Sequence, residues 1–246
     1  MADGVIVGEK SYPLLHPITK HPIPIFNWRD HGMEFHPGDG YNNRRAAEIN
    51  LGVFHWTGSE NALETMFSVL KKRKLGIEFA ISPYGSLYQF CDPMEVDTAD
   101  AGIVNSRSWG VEMVNAGFRR PSTLWREPRY RKVQMGPRTP YDTVIHGKKI
   151  RCWNFYPAQT LTAFALNEVM VQAVPTYPAT VHPYPDGVIS NINAKTTVDG
   201  VIEYAIQGAV GHYQISEKKF DPGTQFMLDL SDYMDHGTIP EYLRAA

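Results

Sequence analysis

An α/β fold is predicted for this 246-residue chain on three observations. Short apolar runs bounded by turn residues recur along it, as buried strands do. Two longer segments repeat apolar residues at helical spacing. The two kinds of segment are interspersed along the chain, which is the order expected of α/β architecture.

The elements follow in chain order. Residues 1–45 are rich in Pro, His and Gly, as in His16-Pro17 and His36-Pro37-Gly38-Asp39-Gly40, and show little periodicity; an extended arm over the core is expected. Leu51-Gly52-Val53-Phe54-His55-Trp56-Thr57-Gly58 reads as a buried strand with His55 near its end. Beyond it Ser59 can cap a helix on which Leu63, Met66, Phe67 and Leu70 share a face. Lys71-Lys72-Arg73-Lys74 closes that helix favourably against its dipole. Residues 77–82 and 86–90 are two strands joined by Pro83-Tyr84-Gly85, and 109–114 is a third. Residues 116–155 form an insertion that is basic and interrupted by proline, too polar for the core. Residues 157–174 make a long amphipathic helix, begun by Pro157 and stopped by Pro175, and 201–210 is a loop or short strand leading to His212.

Composition sets bounds on function. With 43% hydrophobic and 20% charged residues the chain can bury one substantial core, so a single domain spanning 1–246 is expected. A formal net charge of -2 provides no broad basic field for nucleic acid or an anionic membrane. Two cysteines, Cys91 and Cys152, neither staple the fold nor form a cysteine-rich zinc site. No apolar run approaches membrane-spanning length, and the first residues lack the basic and apolar blocks of a signal peptide. A soluble protein made in the cytoplasm, monomeric and without membrane insertion, is expected.

The chemistry concentrates in Gly211-His212-Tyr213-Gln214-Ile215-Ser216-Glu217-Lys218-Lys219-Phe220-Asp221-Pro222-Gly223, which brings a histidine, a lysine and a carboxylate together. Imidazole nitrogen and carboxylate oxygen suit a hydrolytic zinc, which keeps its fourth position for water. One more histidine is needed, and His55 at the end of its strand is the best placed.

Four stretches carry a resemblance. Val53-Phe54-His55-Trp56-Thr57, the strand pair around Gly85, Ser108-Trp109-Gly110-Val111-Glu112, and Gly211-His212 followed by Lys219-Phe220-Asp221-Pro222-Gly223 occur in that order. Together they resemble the zinc-dependent N-acetylmuramoyl-L-alanine amidases of the type 2 amidase and peptidoglycan-recognition family, which includes phage endolysins. The resemblance covers roughly residues 48–230. It implies a mixed central sheet flanked by helices, Zn2+ held by His55, His212 and Asp221, Glu112 as general base, and Lys219 beside the developing oxyanion. Peptidoglycan is the implied substrate, cut between muramic acid and L-alanine.

The sequence departs from the family at Gly76-Ile77-Glu78-Phe79 and at Asp100-Ala101-Gly102, so Glu78 and Asp100 are offered as altered substrate contacts, with Trp56 and Thr57 beside His55. The insertion offers a substrate-side lip, in which Trp125, Tyr130, Tyr141 and Trp153 stack on sugars and arginines hold peptide carboxylates, or else a solvated flap. A compact lytic enzyme of the endolysin kind, acting on the wall after release, is the expected biology. A wall-binding module without catalysis and a zinc peptidase acting within the stem peptide are the alternatives.

Overall fold

The computed structural model of the chain describes residues 4–31, 40–43, 48–58, 63–118, 138–183, 188–189, 192–198 and 201–244. Its strands are β1 (Val5–Val7), β2 (Lys10–Tyr12), β3 (Ile25–Asn27), β4 (Tyr41–Asn43), β5 (Leu51–Trp56), β6 (Phe79–Ile81), β7 (Leu87–Gln89), β8 (Val96–Thr98), β9 (Ser108–Met113), β10 (Pro140–Ile145), β11 (Lys148–Trp153), β12 (Lys195–Val198), β13 (Val201–Tyr204) and β14 (Gly208–Gly211). Six of them form the central sheet in the order β14-β5-β9-β6-β7-β3. The first four are mutually parallel, β7 runs antiparallel to β6, and β3 is parallel to β7. The sheet is therefore mixed, and helices Leu63–Lys72, Pro157–Ala173 and Thr224–His236 accompany it, as expected for the α/β class.

Strand alternation sorts the side chains between two layers. Phe54 of β5 and Trp109, Val111 and Met113 of β9 enter the main core with Phe164 and Phe226 from the two long helices. Leu51 and Val53 turn the other way, into a smaller cluster with Ala101, Val104 and Val210. His55 and Glu112 follow the phase of this second set.

Helix Pro157–Ala173 is not amphipathic. Beside Leu161, Phe164 and Val169, its Gln159, Thr160, Thr162 and Asn167 are also buried, because the sheet covers one side and the C-terminal helices cover the other. Each of these polar side chains has a partner: Thr162 donates to the Gly85 carbonyl at 2.6 Å, Gln159 to the Ile81 and Val114 carbonyls at 3.3 and 3.2 Å, and Asn167 accepts from the Tyr177 hydroxyl at 2.7 Å.

Two sequence expectations need revision. The N-terminal segment is extended but is woven into the fold: β1 and β2 form a hairpin, β3 is an edge strand of the central sheet, and Val5, Val7, Leu14, Ile23 and Ile25 are core residues. Gln89 fixes the hairpin by exchanging hydrogen bonds with the Ile6 backbone at 2.9 and 2.6 Å. The insertion is likewise not wholly peripheral, since β10 and β11 pair as a hairpin whose Ile145 and Cys152 are fully buried in the main core. Its alternating exposed and buried positions read as polar on average, which hid the buried set. Arg119, Trp125, Tyr130 and the other insertion residues at 119–137 lie outside the described residues. Cys91 and Cys152 are both buried.

At the far end of the sheet from the site, Arg107 anchors β9. Its guanidinium is 2% exposed, donates to Asn50 and Asn193 side chains and to the Ile192 and Ile206 carbonyls, and lies over the Tyr204 ring at 4.4 Å. Asn50 precedes β5, so this cation ties the starts of the two strands whose ends carry His55 and Glu112.

Candidate metal centre

Parallel pairing brings the carboxyl ends of β14, β5 and β9 to one edge, which is where open α/β sheets place ligands. His55 lies opposite Glu112 in the β5–β9 register, and Gly211 lies opposite Phe54 in the β14–β5 register. His212 follows β14 in a short 3-10 turn, His212–Gln214, held by the Gln214 side chain accepting from the Gly211 N–H at 2.8 Å. The chain then loops back so that Tyr213 donates its N–H to the Asp221 carbonyl at 3.0 Å. Residues 157 apart are joined in this way: His55 Nδ1 stands 2.8 Å from His212 Nδ1.

Asp221 Oδ2 completes the triangle, 3.0 Å from His212 Nδ1 and 3.3 Å from His55 Nδ1. Ligand atoms bound to zinc at ~2.0–2.1 Å and tetrahedral angles stand ~3.3 Å apart, so these three need only a slight expansion to share one ion. Among the described residues they are the one group of this kind, and all three are buried. Two imidazole nitrogens and one carboxylate oxygen fit a catalytic zinc with an open fourth position.

The electrostatics agree with a cation-binding pocket. Burial opposes charge on His55, but the carboxylates of Asp100 and Asp221, with Glu112 nearby, outweigh it and raise its pKa to about 10. Burial and the neighbouring His55 lower His212. Burial also disfavours ionised Asp221, yet the two imidazoles hold its carboxyl well below the usual range.

Glu112 reaches the same space from β9. Its Oε2 is fully enclosed and has no hydrogen-bond partner among the described residues, and burial, partly offset by His55, raises its pKa to about 7. Lys219 lines the opposite rim of a cleft of about 350 Å³ that also exposes Thr57, Arg73, Asp100 and Phe118. The β10–β11 turn steadies this rim: the His146 ring nitrogen donates to the Lys219 carbonyl at 3.0 Å, and Phe220 packs edge-on against Phe118 with centroids 5.0 Å apart.

The remaining sequence candidates divide. Trp56 and Thr57 line the cleft, though the Trp56 ring is 92% enclosed and packs toward Phe118, and Thr57 bonds to the Asn115 backbone. Asp100 lines the cleft behind His55, with Oδ2 at 3.3 Å from Nε2, so it faces a candidate metal ligand. Glu78 is not a substrate contact: it is 0% exposed, and its Oε2 accepts from the Gly110 N–H and the Thr98 hydroxyl, both at 2.8 Å. It sits just before β6, beside Gly110 of β9. Tyr141 and Trp153, offered as sugar platforms, border a separate small recess with Phe226 and Tyr242. Arg73 in the cleft had no sequence signal beyond its basic run.

No family model matches the chain. No curated protein matches it either. Among solved structures it is similar to N-acetylmuramoyl-L-alanine amidase LysC from Clostridium intestinale URNW, at 15% identity over 85% of this chain and 94% of that one, with a TM-score of 0.46. The Ph2119 endolysin of a Thermus scotoductus bacteriophage gives 13% identity, coverage of 84% and 98%, and a TM-score of 0.46. Drosophila PGRP-LB gives 13% identity, coverage of 86% and 94%, and a TM-score of 0.45. The chemistry rests on the residues described above.

Proposed function

We propose that this chain is a zinc-dependent amidase that hydrolyses the bond between the lactyl group of N-acetylmuramic acid and L-alanine in peptidoglycan. The observation that carries the reading is the convergence of His55, His212 and Asp221 to within 2.8–3.3 Å of one another, with the unpartnered carboxylate oxygen of Glu112 on the adjacent strand. Three of the four stretches of sequence that resemble the type 2 amidases supply these residues, and all four side chains line one cleft.

Bound zinc supplies a nucleophile at neutral pH and Lewis acidity toward a carbonyl oxygen. Glu112, enclosed on the adjacent strand, would accept a proton from the attacking water and return it to the departing alanine nitrogen. An amine is a poor leaving group unless protonated, so this return is as necessary as the first transfer. Lys219 places an ammonium on the rim, where charge develops on the carbonyl oxygen. The backbone tether from His146 to Lys219 limits the wandering of that segment.

A lytic role of the endolysin kind, exerted on the cell wall after release from the cytoplasm, is the biology this reading carries. Among the described residues no helix is long and apolar enough to cross a membrane. The test is product analysis on purified peptidoglycan with zinc-loaded protein. New N-terminal alanine with intact stem peptides supports the amidase; cleavage inside the stem shows a peptidase, and retention without products shows a binding module.

A further inference from the structure

The contacts behind His55 form a continuous buried line that the proposed chemistry does not use. Asp100 Oδ2 is 3.3 Å from His55 Nε2, an ion-pair distance at which neither atom makes a formed hydrogen bond among the described residues, on the side of the ring away from the other two proposed ligands. The Thr98 hydroxyl stands between two carboxylates, 3.1 Å from Asp100 Oδ1 and 2.8 Å from Glu78 Oε2. Glu78 is in turn fixed by the Gly110 N–H at 2.8 Å. Glu78 and Thr98 are at most 2% exposed, so neither belongs to the substrate surface.

We propose that Glu78, Thr98 and Asp100 form an outer relay that sets the orientation and tautomer of His55, and that Gly110 makes room for it. An imidazole has one proton to place when neutral, and a carboxylate beside Nε2 draws the proton there and leaves the Nδ1 lone pair for the ion. The orientation of His55 is then only as good as that of Asp100. Thr98 has a single hydroxyl proton, which it shares between the two carboxylates, and Glu78, pinned to β9, fixes where that hydroxyl stands for Asp100. Gly110 lies one strand over from this line: a Cβ there would come within 1.9 Å of Asp100 Oδ2, so any side chain would push the carboxylate off the ring. Glycine is required for close approach and not for backbone freedom. The glycine two residues before Glu112 and the departure at Asp100-Ala101-Gly102 thus belong to one arrangement.

This inference rests on the metal reading above, and zinc affinity separates the two. Affinity is measured by chelator competition on the folded full chain for the wild type, Asp100→Ala, Asp100→Asn, Thr98→Val and the Thr98→Val/Asp100→Ala pair, with thermal unfolding as a check on folding. Asp100→Ala is expected to weaken zinc binding roughly 10- to 100-fold, the usual effect of losing such a partner. Thr98→Val should weaken it less, and the pair should bind no worse than Asp100→Ala alone, because Thr98 acts only through Asp100. The visible spectrum of the cobalt-substituted protein should shift in Asp100→Ala, as the imidazole tilts. Should Asp100→Ala fail to fold, Asp100→Asn keeps the shape and should still lose several-fold in affinity. Wild-type affinity in either Asp100 variant, or additive losses in the pair, overturns the relay alone. A wild type that binds no zinc overturns the metal reading and the relay together.

Discussion

Replacing Glu112 by Gln should have opposite effects on catalysis and on the stability of the metal-free fold. The substitution keeps the shape and removes the charge at a carboxyl whose Oε2 is enclosed and unpartnered. Loss of a general base costs roughly 10²- to 10⁴-fold in kcat, so hydrolysis should fall by that factor while zinc content stays equimolar. Enclosure has a further consequence. Burial raises the Glu112 pKa from 4.5 to about 7, with His55 opposing, which corresponds to about 3 kcal/mol of disfavoured ionisation. The folded chain holds this proton more tightly than the unfolded chain does, so the wild type loses stability as pH rises from about 4.5 to about 7 and gains nothing back above that. Gln does not titrate. The metal-free variant should therefore equal the wild type near pH 4 and exceed it by up to about 3 kcal/mol at pH 8, read by denaturant unfolding in the presence of a chelator. Turnover by Glu112→Gln within about threefold of wild type would remove Glu112 as the base. Equal stabilities at pH 8 would refute the enclosure argument.

Three other outcomes follow from the same geometry. His212→Ala should lose zinc and activity together, and chelation of the wild type should abolish hydrolysis reversibly, with recovery on adding zinc; metal analysis beside product assay checks both. Lys219→Met should keep its zinc while kcat falls roughly 10²- to 10³-fold, the range for loss of one oxyanion donor, which steady-state kinetics will show. Arg107→Met should destabilise the fold by about 3 kcal/mol, because four acceptors and a ring lose one buried cation; the unfolding midpoint reads this, and zinc affinity of the protein that remains folded should be unchanged.

The ends of β5, β9 and β14 were legible in the sequence because each signal is local. An apolar run stopping at His55, Gly110-Val111-Glu112 in strand phase, and His212 with Lys219 and Asp221 in one short segment can all be read along the chain. Their grouping came from the order of motifs. What could not be read locally is what covers each face. The polar positions of Pro157–Ala173 read as an exposed stripe by periodicity, yet the helix packs against Thr224–His236 and Glu241–Arg244 as well as the sheet, and its buried polar side chains find partners in Gly85, Ile81, Val114 and Tyr177. Ile25–Asn27 is too short to stand out from its proline-rich surroundings, and becomes a strand only because β7 offers it an edge.

The same division holds at the site. Residue types and spacing along the sequence determined which side chains can bind a metal and move a proton, since ligand chemistry belongs to the side chain itself. Only the tertiary structure decided that Asp100 stands behind His55, that Glu78 is buried against the Gly110 backbone and that the β10–β11 turn grips the Lys219 segment. Those placements depend on strands and loops distant in the chain meeting at ångström precision, and no periodicity within one segment carries that information.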